Sequence, residues 1–275
     1  MCRLLGLVSA VPRSISEAVG PDALGAFLSL TQIHGDGWGA AHLGTLGGVP
    51  DVAVSAANAG EDADFVREVE RPALGALVHL RWASAGLAVR PENSHPFSAA
   101  GVAFAHNGSL RPYELLDTLL SEQARLGLHG TTDSERYFAV VCRHLALGHD
   151  LPDATLRAVR ELREVYPHAS LNALLLDGAH LVAVHASATS TLPDEDVAEI
   201  SRVDLPDEHV EDYFGLRHAR LADGSVVVGS TGFGALPWEP LPAESVTAIG
   251  LDDRTLNTQL LDPSASGAAD DKLAV

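Results

Sequence analysis

A chain of 275 residues and 28.8 kDa is long enough to bury a sizeable core in one large domain or two small ones. Its 18 basic residues against 37 acidic ones leave a formal charge of −19. That balance argues against nucleic acid and anionic membrane surfaces as partners, since both need a basic footprint. With 46% apolar and 20% charged residues, global disorder is excluded, and no apolar stretch approaches the roughly 18 residues of a membrane span.

Leu4-Leu5-Gly6-Leu7-Val8 reads as a short buried strand. It is too short, and too soon closed by Pro12, to be the apolar region of a signal peptide, so a cytoplasmic address is expected. Helical spacing of Leu24, Phe27 and Leu28 follows, and Gly20-Pro21 predicts that the helix starts near Asp22. His34-Gly35-Asp36-Gly37-Trp38-Gly39 is a glycine-rich turn into a second strand, and 62–70 is a short helix. Leu74 to Trp82 and Gly101 to Ala105 are strands followed by polar loops. Leu115, Leu116, Leu119 and Leu120 predict one helix over 112–125, a second starts at Thr132 or Asp133, and a third spans 153–165. Two hairpins close the pattern, one turning at Asp177-Gly178 and one at Asp223-Gly224. With no repeat and no linker, residues 2–262 read as a single domain, and the Ser/Ala/Gly/Asp-rich tail, 263–275, is expected to be disordered.

The two cysteines differ in kind. Cys142 sits in the apolar run Phe138-Ala139-Val140-Val141-Cys142 and reads as a small buried hydrophobe. Cys2 has no core to join at the second position of a chain. Four polar clusters flank the strands: Cys2-Arg3, His79 to Ser84, Asn93-Ser94-His95-Pro96 and His106-Asn107-Gly108. Thr132-Asp133-Ser134-Glu135 opens a helix. Each alone reads as a satisfied loop or cap.

Together and in this order, the clusters resemble the class II glutamine amidotransferases, members of the N-terminal-nucleophile hydrolases. Met-Cys-Arg-Leu-Leu-Gly, Asp-Gly-Trp-Gly, Asn-Ser-His-Pro-Phe, Ala-His-Asn-Gly and Thr-Asp-Ser-Glu carry the likeness. It is strongest over residues 2 to about 145. It lies nearest a stand-alone branch of γ-glutamyl hydrolases that act in ergothioneine synthesis and glutathione breakdown. The resemblance implies an α+β fold, a four-layer α/β/β/α sandwich of two antiparallel sheets flanked by helices. It implies a catalytic set of Cys2, Asn107 and Gly108, and a substrate pocket of Arg81, Trp82, Ser84, His95 and Asp133. No metal and no cofactor are expected. The implied partner is a small-molecule γ-glutamyl substrate, with an ammonia-accepting synthetase and self-association left open.

The residues themselves support that chemistry. Once Met1 is removed, Cys2 offers a thiol nucleophile and an α-amine whose ordinary pKa, about 7.7–8.0, suits a general base. Asn107 and Gly108 can supply donors to an oxyanion. Arg81 offers a planar fork for an α-carboxylate, Ser84 a hydroxyl, and Asp133 an acceptor for an α-ammonium. For Asp133 the competing role is helix cap, and for Asp36 and Trp38 a structural turn. A glutaminase subunit feeding ammonia to a synthetase is the alternative function. Metal-dependent hydrolysis is disfavoured, because the 13 histidines show no H-E-x-x-H or H-x-H spacing.

Overall fold

The opening run of the chain is apolar because it is covered on both faces. In the computed structural model, which describes residues 2–83, 88–205 and 208–262 with backbone alone at 208 and 210, it forms strand β1 (Cys2–Arg13). The strands after it are β2 (Trp38–Leu43), β3 (Asp51–Ser55), β4 (Ala73–Arg81), β5 (Phe97–Ala99), β6 (Val102–Asn107) and β7 (Asn172–Leu176). They continue with β8 (His180–His185), β9 (Leu216–Arg220), β10 (Val226–Ser230), β11 (Glu239–Pro240), β12 (Ser245–Gly250) and β13 (Leu256–Leu260). Two antiparallel sheets result, one of seven strands ordered β11-β9-β10-β1-β4-β2-β3 and one of six ordered β13-β12-β8-β7-β6-β5. The expected α+β architecture is the observed one.

Three apolar clusters separate its four layers. Leu5, Leu7, Val78 and Val227 of the larger sheet pack against Ile15, Phe27, Phe65 and Val69 of the outer helices. Phe104, Leu175 and Val184 of the smaller sheet meet Tyr137, Phe138, Val159 and Leu162 on the other side. Between the sheets lie Leu4, Val8 and Leu77 from one and Ala103, Ala105, Leu174 and Leu181 from the other. Strand alternation explains the division of β1: even-numbered residues face the opposing sheet and odd ones the helices. Gly6 is required by this approach, since a Cβ there would lie 2.8 Å from a Leu181 methyl.

Three local expectations change. The first helix spans Ile15–Ser29 rather than starting near Asp22, because Ser14 and Glu17 form a complete capping box. Gly20, at φ 79°, turns the Gly20-Pro21 pair into a kink inside it. The single helix over 112–125 is two, Glu114–Asp117 and Glu122–Leu126, because the Ser121 hydroxyl caps a fresh N-terminus. Strands β3, β5, β11, β12 and β13 were not anticipated. The tail 263–275 and Ser84 lie outside the described residues. No described helix is long and apolar enough to cross a membrane.

One buried group sets an acid limit on stability. His42 on β2 is enclosed against the Ala63–Val69 helix, its Nδ1 3.3 Å from Glu68 Oε2 but with no hydrogen bond made. Burial, reinforced by Arg71, pulls it down to about 4 despite the pull of Glu68 and Asp51 in the other direction. The unfolded chain therefore binds the extra proton first, so this contribution is present above about pH 6.5 and lost as pH falls toward 4. Chemical denaturation between pH 7 and pH 4 is expected to show a loss on the order of 3 kcal/mol from this site. His42→Gln should flatten that part of the profile; an unchanged slope would refute the assignment.

Candidate active site

The site is assembled where the ends of strands β1, β4 and β6 from the two facing sheets meet. Cys2 begins β1 directly opposite Arg81 on β4, and Leu4 lies opposite His79. Cross-strand partners share a face. Leu4 belongs to the intersheet core, so Cys2, His79 and Arg81 all point into the same space. From the smaller sheet, β6 presents Asn107 in alternation with the intersheet residues Ala103 and Ala105.

The two sheets meet at a hydrogen bond. The Cys2 backbone nitrogen donates to Asn107 Oδ1 at 2.9 Å. With its oxygen engaged, the Asn107 amide is left with Nδ2, a donor buried with no partner among the described residues. An unmet buried donor ordinarily costs about 1–3 kcal/mol, so this one marks a place for an acceptor. Gly108 follows at once. A Cβ there would fall 2.0 Å from Ser170 O and 2.5 Å from His106 Nε2, so no other residue fits. Ser170 Oγ donates to Asn107 O at 2.7 Å, and His106 lies between Ser134 Oγ and Ser170 O at 2.9 and 3.0 Å. His106 thus points to the helix layer and buttresses the strand end rather than entering the site.

His95 is brought against Cys2. Cys2 Sγ and a ring nitrogen of each of His79 and His95 lie within 4.8 Å of one another. His95 Nδ1 and His79 Nε2 share a hydrogen bond of 2.8 Å. The loop bearing His95 reaches the sheet because residue 39 is glycine, where a Cβ would sit 2.1 Å from His95 O. Burial holds His79 well below the usual imidazole range and draws His95 down to about 3, so both rings are neutral. Burial alone would raise the Cys2 thiol, but the positive amino terminus at residue 1 and the neighbouring His95 outweigh it and lower the thiol to about 7. Cys142 is the opposite case. It lines a separate apolar cavity of about 610 Å³ with Leu120 and Phe138, and burial pushes its thiol up to about 11.

Arg81 is 3% exposed, and its guanidinium reaches the carbonyls of Asp36 and Ala88 at 3.3 and 3.1 Å. This gives Asp36 its part. Its backbone pairs with that of Arg81, and its carboxylate accepts from Ala83 N at 2.8 Å, holding the turn that follows β4. Trp38 is structural as expected, buried against Phe65 with Nε1 donating to Asp62 at 2.9 Å. The cap of the Asp133–Ala146 helix is Thr132, which accepts from Glu135 N. Asp133 is therefore free of that role. Its carboxylate accepts from Leu110 N at 2.6 Å and Ser134 N at 2.9 Å, clamping the loop after Gly108 to the helix. Trp82 stands edge-on to His34 and lines a cavity of about 680 Å³ with Ser109, Arg111, Ser170, Glu195 and Asp196.

The sequence motifs include His79 and Gly39 but assign neither a role in the site. His79 stands two residues before Arg81 in a strand, so alternation alone places both on one face. Gly39 belonged to a quoted landmark, but the chain segment it admits is 56 residues away.

The fold thus pairs two antiparallel sheets, with a cysteine at the start of the first strand and an asparagine-glycine pair facing it. Residues 1–231 match the class-II glutamine amidotransferases, and the chain belongs to that family. It is 28% identical over 173 residues to the glutamine–fructose-6-phosphate aminotransferase (isomerizing) of Gluconobacter oxydans, covering 62% of this chain and 27% of that protein. The chain thus spans about a quarter of the length of that relative. Among solved structures, a glutamine aminotransferase class-II domain protein from Silicibacter pomeroyi superposes with a TM-score of 0.63 at 19% identity, over 95% of this chain and all of the other. The glutamine phosphoribosylpyrophosphate amidotransferase of Bacillus subtilis gives 0.62 at 15% identity, over 95% of this chain and 50% of the other. At these identities the structural likeness is one of fold.

Proposed function

We propose that the chain hydrolyses a γ-glutamyl amide through a thioester on Cys2. The observation that carries this reading is the Asn107 amide, whose oxygen takes the Cys2 nitrogen while its buried Nδ2 has no acceptor among the described residues. Removal of Met1 turns that nitrogen into an α-amine held by Asn107 Oδ1. The amine accepts the thiol proton, and the thiolate attacks the γ-carbonyl carbon. The oxyanion then receives Asn107 Nδ2–H and the Gly108 N–H. The amine leaving group departs with the proton held by the α-ammonium, and water, deprotonated by the same amine, cleaves the thioester to release glutamate. Arg81 takes the substrate α-carboxylate and Asp133 its α-ammonium, with Trp82 and His95 walling the pocket. The scheme uses no metal and no cofactor.

The cavity beside Trp82 favours a leaving group larger than ammonia, because its volume of about 680 Å³ is that of a site for a substantial organic group. Binding energy recovered there can be used at the reacting centre. A second reading, ammonia supply to a synthetase, is favoured by the 27% share of the Gluconobacter relative that the chain spans. Glutamate release by the purified chain from glutamine, γ-glutamyl amines and γ-glutamyl thiol peptides separates the two. The conjugates are expected to exceed glutamine in kcat/KM by at least about tenfold, or about 1.4 kcal/mol. Equal values, or turnover only with an added synthetase, would favour the ammonia-supplying subunit.

Recognition of the amino-acid end is tested in the same assay. Arg81→Lys is expected to raise KM sharply, as a point charge replaces a fork. Asp133→Asn should do likewise and weaken discrimination against N-acetylglutamine, which lacks the ammonium. Hydrolysis of N-acetylglutamine by the unaltered protein as fast as glutamine would remove the proposed ammonium pocket.

A further inference from the structure

The thiol of Cys2 faces the rings of His79 and His95, whose nitrogens the proposed hydrolysis does not use as acid or base. All three residues are buried, at 7%, 0% and 5% exposure, and one ligand atom from each lies within 4.8 Å of the others. The set of one sulfur and two imidazole nitrogens has the softness that selects zinc and related ions over magnesium or calcium. Around a tetrahedral zinc, with Zn–S about 2.3 Å and Zn–N about 2.0–2.1 Å, ligand atoms stand roughly 3.3–3.7 Å apart. His95 Nδ1 and His79 Nε2 are already 2.8 Å apart, so that pair opens by about half an ångström, and the sulfur, within 4.8 Å of a nitrogen of each ring, closes by at most about 1.3 Å.

We infer that these three side chains bind a thiophilic divalent cation, zinc being the representative ion, which occupies the nucleophile and shuts the site reversibly. In binding, the Cys2 S–H proton is released to solvent and the sulfur ligates as thiolate. The proton now shared between the rings moves to His95 Nε2, a buried nitrogen without a hydrogen-bond partner among the described residues, and each imidazole ligates neutral. No electron transfer is involved. Metal and acylating substrate are mutually exclusive, since both require the same sulfur lone pair. The inference rests on where Cys2, His79 and His95 sit, and holds whatever amide the enzyme cleaves.

The test is metal binding measured without reference to turnover. The full-length chain, reduced with a non-chelating phosphine, is titrated with zinc against a chromophoric chelator and separately with cobalt(II). One equivalent of zinc and a sulfur-to-cobalt charge-transfer band in the near ultraviolet are expected. Cys2→Ser should abolish the band, and His95→Ala should weaken zinc binding by at least about tenfold. Cys142→Ser and His149→Ala, which alter the other thiol and a histidine pair near Glu161, should leave both readouts unchanged. The charge-transfer band of the unaltered chain needs no variant to fold. Its absence, weak or absent zinc binding, or zinc binding that persists undiminished in Cys2→Ser, would overturn the inference. If the chain proves inactive on every γ-glutamyl compound yet binds zinc in this way, the hydrolase reading fails and this one stands.

Discussion

Cys2→Ala is expected to lower glutamate release by at least about 10³-fold while leaving the protein folded, because no other described group can take over as nucleophile. The strand that carries Cys2 is held by main-chain pairing with β4 and β10, and truncating one edge residue leaves that ladder intact. Retaining Met1, or acetylating the Cys2 α-amine, should be nearly as damaging, since the base is then an amide with no basic lone pair. Intact mass should show Met1 removed, and a diazo-ketone analogue of glutamine should label Cys2. Labelling at Cys142, whose thiol is pushed up to about 11 by burial, or full activity with Met1 in place, would sink the mechanism.

Asn107→Ala is expected to reduce kcat by about 10²–10³, or roughly 2.7–4 kcal/mol, with a smaller change in KM. The donor it removes acts on charge that appears only in the transition state. Asn107→Asp separates the two roles of the side chain. An aspartate keeps an acceptor for the Cys2 nitrogen but replaces the Nδ2 donor with a negative oxygen facing the developing oxyanion, so it should be no better than alanine. Recovery of activity in Asn107→Asp would show that anchoring Cys2 is the whole contribution. Gly108→Ala is of another kind. Its Cβ would meet Ser170 O at 2.0 Å, so the melting temperature is expected to fall together with kcat, as overpacking costs typically about 1–3 kcal/mol.

The order of strands, the hairpins at Asp177-Gly178 and Asp223-Gly224 and the helix starting after Thr132 were legible because local rules govern them: alternation, turn residues and capping. Cys2 declared itself for a similar reason, since nothing local explains a cysteine there. The acidic composition and the absence of a long apolar run were equally direct. Other features depended on contacts far apart in the chain. Strand β13 carries Leu-Asn-Thr-Gln-Leu with no clear alternation, and it is a strand because β12 offers it an edge. Gly39 is needed for His95, 56 positions on, and Gly108 for Ser170, 62 positions on. His95 reads from sequence as a wall of the substrate pocket, and the packing of its loop on Gly39 adds that it stands beside the Cys2 thiol and hydrogen-bonds His79. Asp133 was poised between cap and ligand until Thr132 took the cap. The sequence by itself determined which residues carry reactive groups, and those strands and helices that alternation, turn residues and caps mark, because these depend on neighbours a few positions away. Only the tertiary structure decided which groups share a space, because that depends on the register of β1 against β4 and on the facing of the two sheets, neither of which any short stretch of chain encodes.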